Sequence, residues 1–228
     1  VLAPLFPPEK AAGRLFLSLL LPFMCIIFAS TCPLPIAADL SAGEKERGSL
    51  EPLITTSVSR TSLAAGKLLA VSLVGFLSVC AFFAGVIISL FLNPSVLGSG
   101  AMQMQLAIEY YILLFLIALL LTVFYSALEL ALGVFTRSSR EAQLLGMPLL
   151  IVSMAAVYVA SSMDLRQLPF AALHIPLVNA ALVIRELAAA RPVPQHVLIV
   201  CLWLCIYAAI AAAAAAFLFK REKLLFRS

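Results

Sequence analysis

The chain has 228 residues, 64% of them hydrophobic and 11% charged, with a formal net charge of +4. A soluble domain carries about 25% charged residues, so this composition excludes a chain whose main solvent is water. The mean hydropathy of +1.12 points to lipid, where about 20 apolar residues in a helix cross a bilayer core of about 30 Å.

Five such stretches are predicted, at residues 15–38, 68–92, 110–135, 142–163 and 197–219. No alternating ten-residue barrel pattern is visible, and backbone groups in lipid must be bonded internally. The expected fold is therefore an all-α polytopic bundle, one transmembrane domain over 15–228. Pro22, Pro33 and Pro35 in the first stretch remove backbone donors and predict kinks.

Segment 39–62 follows, too charged for lipid. Ser41 and Glu44 have the S-x-x-E spacing of a capping box and predict a helix start. Gly48 is expected to end that turn. Ser49 then caps a second short helix, with Glu51 and Pro52 in its first turn and Leu50, Leu53 and Ile54 on one face. The product is an amphipathic elbow at the membrane surface. Two readings of it stay open: it docks into a soluble partner, or it lies on lipid headgroups.

Glu129 stands about six residues from the end of the third stretch. An acid at the centre of a helix in lipid costs ~2.5–3.5 kcal/mol. It either contacts a transported cation or forms an intramembrane ion pair, or it reaches headgroup level or bonds within the bundle. Segment 164–195 is punctuated by Pro169, Pro176, Pro192 and Pro194 and is too interrupted to span. Within it Leu177, Ala181, Ile184 and Ala188 share an apolar side, with Asn179 and Glu186 on another. The last stretch holds the run 208–216, all alanine except Ile210. It either lets helices approach closely or is filler. The five cysteines all sit in apolar stretches and read as buried free thiols rather than metal ligands.

Ten of the fifteen Lys and Arg fall in segment 39–67, the link 136–141 and the C-terminal tail. The positive-inside rule puts those in the cytoplasm and 164–195 outside. The positive charge thus reads as topology in a cell (plasma, inner) membrane, not as nucleic-acid binding. No phosphate-binding G-x-x-x-x-G-K-[ST] loop, H-E-x-x-H or G-x-S-x-G is present. The sequence calls for no catalytic residue, cofactor or metal.

The run Ala38-Asp39-Leu40-Ser41-Ala42-Gly43-Glu44-Lys45-Glu46-Arg47-Gly48-Ser49-Leu50-Glu51-Pro52-Leu53 resembles the signature of ABC-2 type permeases of the sodium-efflux (NatB-like) group. Val58-Ser59-Arg60 with Gly66-Lys67, Arg140-Glu141-Ala142-Gln143, Ile175-Pro176-Leu177-Val178-Asn179 and the tail from Lys220 to Arg227 resemble it in the same order. The resemblance implies six transmembrane helices, of which this chain holds two to six. Residues 1–14 then read as the end of an extracellular domain, and 164–195 as an outer re-entrant or interfacial element. It implies an ABC ATP-binding subunit as partner, with a second permease copy or related half and membrane lipid. ATPase coupling would fall to Gly43, Glu44, Lys45, Glu46, Arg47, Leu50, Glu51, Leu53 and Arg60. Glu129 and Asn179 become candidates for the transport pathway, and sodium a candidate cargo. A different class stays open, a non-transporting scaffold subunit whose elbow recruits a soluble protein. The identity of a co-purified partner separates the two.

Overall fold

The computed structural model describes residues 8–49, 59–92, 108–165 and 167–220. Among these, five helices are long and apolar enough to cross a membrane: Ser18–Glu46, Arg60–Ile88, Glu109–Phe135, Ser139–Ser162 and Pro194–Phe219. The elements are α1 (Pro8–Thr31), α2 (Leu34–Ala38), a π-turn (Asp39–Gly43), a last turn (Glu44–Glu46), α3 (Arg60–Leu92) and α4 (Ile108–Phe135). Then follow α5 (Ser139–Ser162), a 3-10 turn (Phe170–His174), α6 (Val178–Ala188) and α7 (Pro194–Lys220). Large apolar side chains cover the outside, with Leu69 71%, Ile151 68% and Leu198 63% exposed. Water does not tolerate apolar surface on this scale, and lipid does. This is a polytopic helical membrane protein.

The first helix bends at Cys32 and Pro33 and then continues, while Pro22, where a kink is also expected, lies inside the unbroken α1. It runs on through the π-turn to Glu46, beyond the expected end at residue 38. The expected helix start at Ser41 does not form. The Ser41 hydroxyl donates back to the Ala37 carbonyl, and Ser41, Ala42 and Gly43 are buried. The reason lies in another helix, because Gly133 of α4 has no Cβ there and the two backbones close up on Ser41. Gly48 does end the helix, at φ +68. The Ser49 N–H reaches the Glu44 carbonyl and the Gly48 N–H the Lys45 carbonyl, both at 3.1 Å, the paired bonds of a Schellman terminus. The second elbow helix, with Leu50, Glu51 and Leu53, lies outside the described residues.

α4 packs against α1, α3, α5, α6 and α7 and makes its longest interface with α7. α7 buries one stripe at helical spacing, Val200, Leu204, Ala208, Ala211 and Ala215, while Ile210 and Phe217 face outward. Alanines on that stripe permit close approach, and those off it are filler, so both readings of the run hold on different faces. The five cysteines are free, Cys25 buried and Cys205 exposed.

The chain between α5 and α7 leaves and re-enters the bundle at the same end. α6 within it is buried on every residue from Val178 to Ala188. α6 packs as a plug among α1, α4, α5 and α7, so that its apolar residues and its polar Asn179 and Glu186 are buried alike. A helix buried on all sides must satisfy both its ends inside the protein. Its start is a γ-turn, with Leu177 at φ +66 and the Val178 N–H on the Pro176 carbonyl at 2.8 Å. Its end is a second Schellman terminus, here with Ala190 at φ +54. Alanine in the left-handed region costs about 1 kcal/mol, and glycine avoids most of it. Ala190→Gly is expected to raise stability by about that amount, read as a higher thermal unfolding midpoint in detergent.

Candidate functional site: charged clamps at the helix ends

At the elbow end, four consecutive charged side chains engage four different partners. Glu44 pairs with Lys67 of α3, which also donates to the Leu40 carbonyl at 2.6 Å. Lys45 donates to the carbonyls of Val134 and Thr136 at the end of α4. Glu46 accepts the Ser139 N–H at 3.1 Å at the start of α5. Arg47 donates to the Asp39 carboxylate at 2.7 Å. This last bond raises the Arg47 guanidinium above its already high ordinary pKa.

Helix polarity explains the order. The last carbonyls of a helix lack partners and carry partial negative charge, and the first N–H groups carry partial positive charge. Lys45 meets the former on α4 and Glu46 the latter on α5. The start of α5 is capped again from within: the Ser138 hydroxyl accepts the Glu141 N–H at 3.2 Å, and Glu141 accepts the Arg137 N–H at 2.8 Å. Ser138-x-x-Glu141 has the capping-box spacing just ahead of an apolar run, a signal the sequence reading passed over.

The opposite end repeats the device. Arg185 of α6 donates to the carbonyls of Ala160 and Met163 at the end of α5. Its neighbour Glu186 accepts the Val193 N–H at 3.3 Å and bonds His196 Nδ1 at 2.7 Å at the start of α7. A basic residue followed by an acidic one thus closes the junction α4–α5 at one end and α5–α7 at the other. α5 is held at both ends. No pattern in the sequence marks Arg185 and Glu186, because their partners are backbone groups and one histidine on another segment.

The residues expected to couple to a partner divide accordingly. Glu44, Lys45, Glu46 and Arg47 come together as the clamp, each bonded within the chain, with Glu46 and Arg47 also exposed. Gly43 is buried, and a Cβ there would stand 2.7 Å from Asp39 Oδ1. Arg60 is half-buried at the first turn of α3. Glu129 and Asn179 are not brought together. Asn179 opens α6 at the far end, fully buried, with Oδ1 on the Ala180 N–H at 2.7 Å and Nδ2 without a partner among the described residues. Glu129 sits on α4 near the elbow end, 2% exposed. It does not reach the helix end, so the headgroup-level position is corrected.

Residues 7–224 match the ABC-2 family transporter protein family. The ABC transporter permease protein NatB of Bacillus subtilis (strain 168) is 34% identical over 138 residues, covering 59% of this chain and 35% of that relative. The match thus spans about a third of the relative's length. By the extent of the family match, this chain belongs to the ABC-2 transporter family.

Proposed function

We propose that the chain is the membrane-spanning part of an exporter permease, driven by a separate ATP-binding subunit that meets it at the elbow. The elbow then faces the cytoplasm, as the Lys and Arg distribution supports, and so does the C-terminus. Sodium is the candidate cargo suggested by the resemblance, and a second permease copy or related half completes the pathway.

The observation that carries the reading is the clamp. Glu44, Lys45 and Glu46 bind α3, α4 and α5 in turn. A push on the chain just after Arg47 therefore moves three helix ends together. α5 carries that motion to Arg185, and so to the plug α6. Partner binding falls to the apolar residues beyond the clamp, Leu50 and Leu53, since buried apolar anchors supply most interface energy.

The test separates anchor from clamp. Leu53→Ala is expected to weaken co-purification of the ATP-binding subunit by tenfold or more, since losing one anchor costs about 2 kcal/mol. Glu46→Gln is expected to leave that association intact and to lower transport per ATP hydrolysed in reconstituted vesicles. Normal association and normal coupling in both variants would overturn the proposal.

A further inference from the structure

The clamp leaves unused a buried polar layer one turn deeper. On α4, Thr122, Ser126, Glu129 and Gly133 recur at i, i+4, i+7 and i+11, one face of a helix. Gly133 fixes what that face meets, since a Cβ there would overlap Ser41 and lie 3.7 Å from the Ala37 carbonyl. The stripe therefore faces the first helix along its kinked part. Its polar side chains are 0–2% exposed. Thr122 donates to the Leu119 carbonyl at 2.8 Å. Ser126 Oγ and both Glu129 carboxylate oxygens have no partner among the described residues.

Two neighbours add oxygen to this layer. α3 runs antiparallel to α4, in a register set by the Phe83–Phe115 ring contact at 5.6 Å. Eleven residues from that contact on each helix stand Ser72 and Ser126, at one depth. Ser72 Oγ is also buried without a partner. Gly75 of α3 packs on the Pro33 ring, which a Cβ would meet at 3.0 Å, so the kink lies at this level. Pro33 and Pro35 offer no N–H, and the carbonyls of Ala29 and Thr31 lose the donors a regular helix would supply.

Among the described residues the layer holds no cation of its own. Lys67 and Lys45 belong to the clamp, on Glu44 and on the α4 carbonyls. The other titratable groups in the middle of the first helix, α3 and α4 are Cys25 and Cys32, Cys80 and Tyr125, whose hydroxyl bonds Ser153 at 2.7 Å. Toward the helix ends, Asp39 pairs with Arg47, and Arg60, Glu109, Tyr110 and Tyr111 stand in the first turns of α3 and α4. The buried stripe of α7 is apolar. An unpaired carboxylate out of water is costly and must be neutralised or paired. One carboxylate among neutral oxygens balances a single positive charge. A divalent ion would leave net charge in the bundle and normally takes more carboxylates.

We propose that Glu129, with Ser126, Ser72 and the proline kink, forms a binding site for one monovalent cation, a proton or an alkali metal ion. The first helix supplies one wall of the site. Occupancy is a property of the permease alone, so the test needs no ATP-binding subunit, and its failure leaves the transport reading standing.

The test compares wild type with Glu129→Gln, which keeps the shape and removes the charge. The full permease in detergent is melted in sodium, potassium or choline chloride at equal ionic strength, and its carboxylic-acid infrared band is recorded. A midpoint that rises with sodium or potassium, and does so only in wild type, assigns an alkali ion. A carboxylic-acid band present in wild type and lost in the variant, with no ion effect, assigns a proton. Identical melting and identical spectra overturn the site. Should Glu129→Gln fail to fold, Ser126→Ala keeps the acid and removes one ligand. It is expected to raise the half-saturating ion concentration about tenfold, since a hydrogen-bonding ligand is worth ~1–1.5 kcal/mol, or to shift the acid band. No change in either again overturns the site.

Discussion

Gly133→Ala is expected to prevent the first helix from seating on α4. The added Cβ would overlap the Ser41 hydroxyl and lie 2.8 Å from the Ser41 Cβ. Turning the hydroxyl cannot relieve the second contact, because that carbon is fixed to the backbone. The helices must separate, and overpacking of this kind costs about 1–3 kcal/mol or more. Separation also pulls Lys45 from the α4 carbonyls. The expected result is a strongly lowered unfolding midpoint and a low yield in membranes. Adding Ser41→Gly should restore part of the loss by removing the clashing atoms. Adding Ser41→Ala should not, since it keeps the Cβ. Gly66 and Gly85 are the controls, with nothing within 4 Å of a built Cβ, and alanine at either should leave the midpoint unchanged or slightly higher.

Lys67→Met is expected to destabilise the elbow end by about 3–5 kcal/mol, the cost of leaving one member of a buried ion pair alone. The pair is well covered, with side-chain exposure of 6% for Lys67 and 15% for Glu44. Lys67 also lies 5.4 Å from the Phe219 ring centroid, so its loss loosens the end of α7 too. Combining it with Glu44→Gln should recover most of the stability, since no charge is then stranded. The double-mutant cycle on unfolding midpoints checks this. If the two single variants and the double all melt like wild type, the pair contributes nothing and the clamp loses its α3 member.

The elements were legible where one local rule decided them. The five spans follow from apolar length against bilayer thickness, and the bend at Pro33 from a missing donor. The end at Gly48 follows from the residue type that best tolerates φ +68. The elbow misled where two local rules competed. Ser41-x-x-Glu44 and Ser138-x-x-Glu141 have the same spacing. Only the second forms a cap, because Ser138 stands at a chain turn while Ser41 lies inside a helix pressed against Gly133.

The sequence by itself thus determined a helical membrane chain with five spans, a bend at one of the prolines of its first helix and, through the resemblance, its family. These are properties of single segments, fixed by hydrophobic length, proline and glycine. The tertiary structure alone decided that Glu44, Lys45 and Glu46 grip three different helices and that α6 is buried on every side. It also left Glu129 among unpartnered oxygens rather than at the helix end. Most of those depend on partners that are backbone carbonyls, amides or hydroxyls on distant segments, and the Glu44 grip on a distant lysine. Such groups occur throughout the chain, so only their placement in space selects the ones that matter.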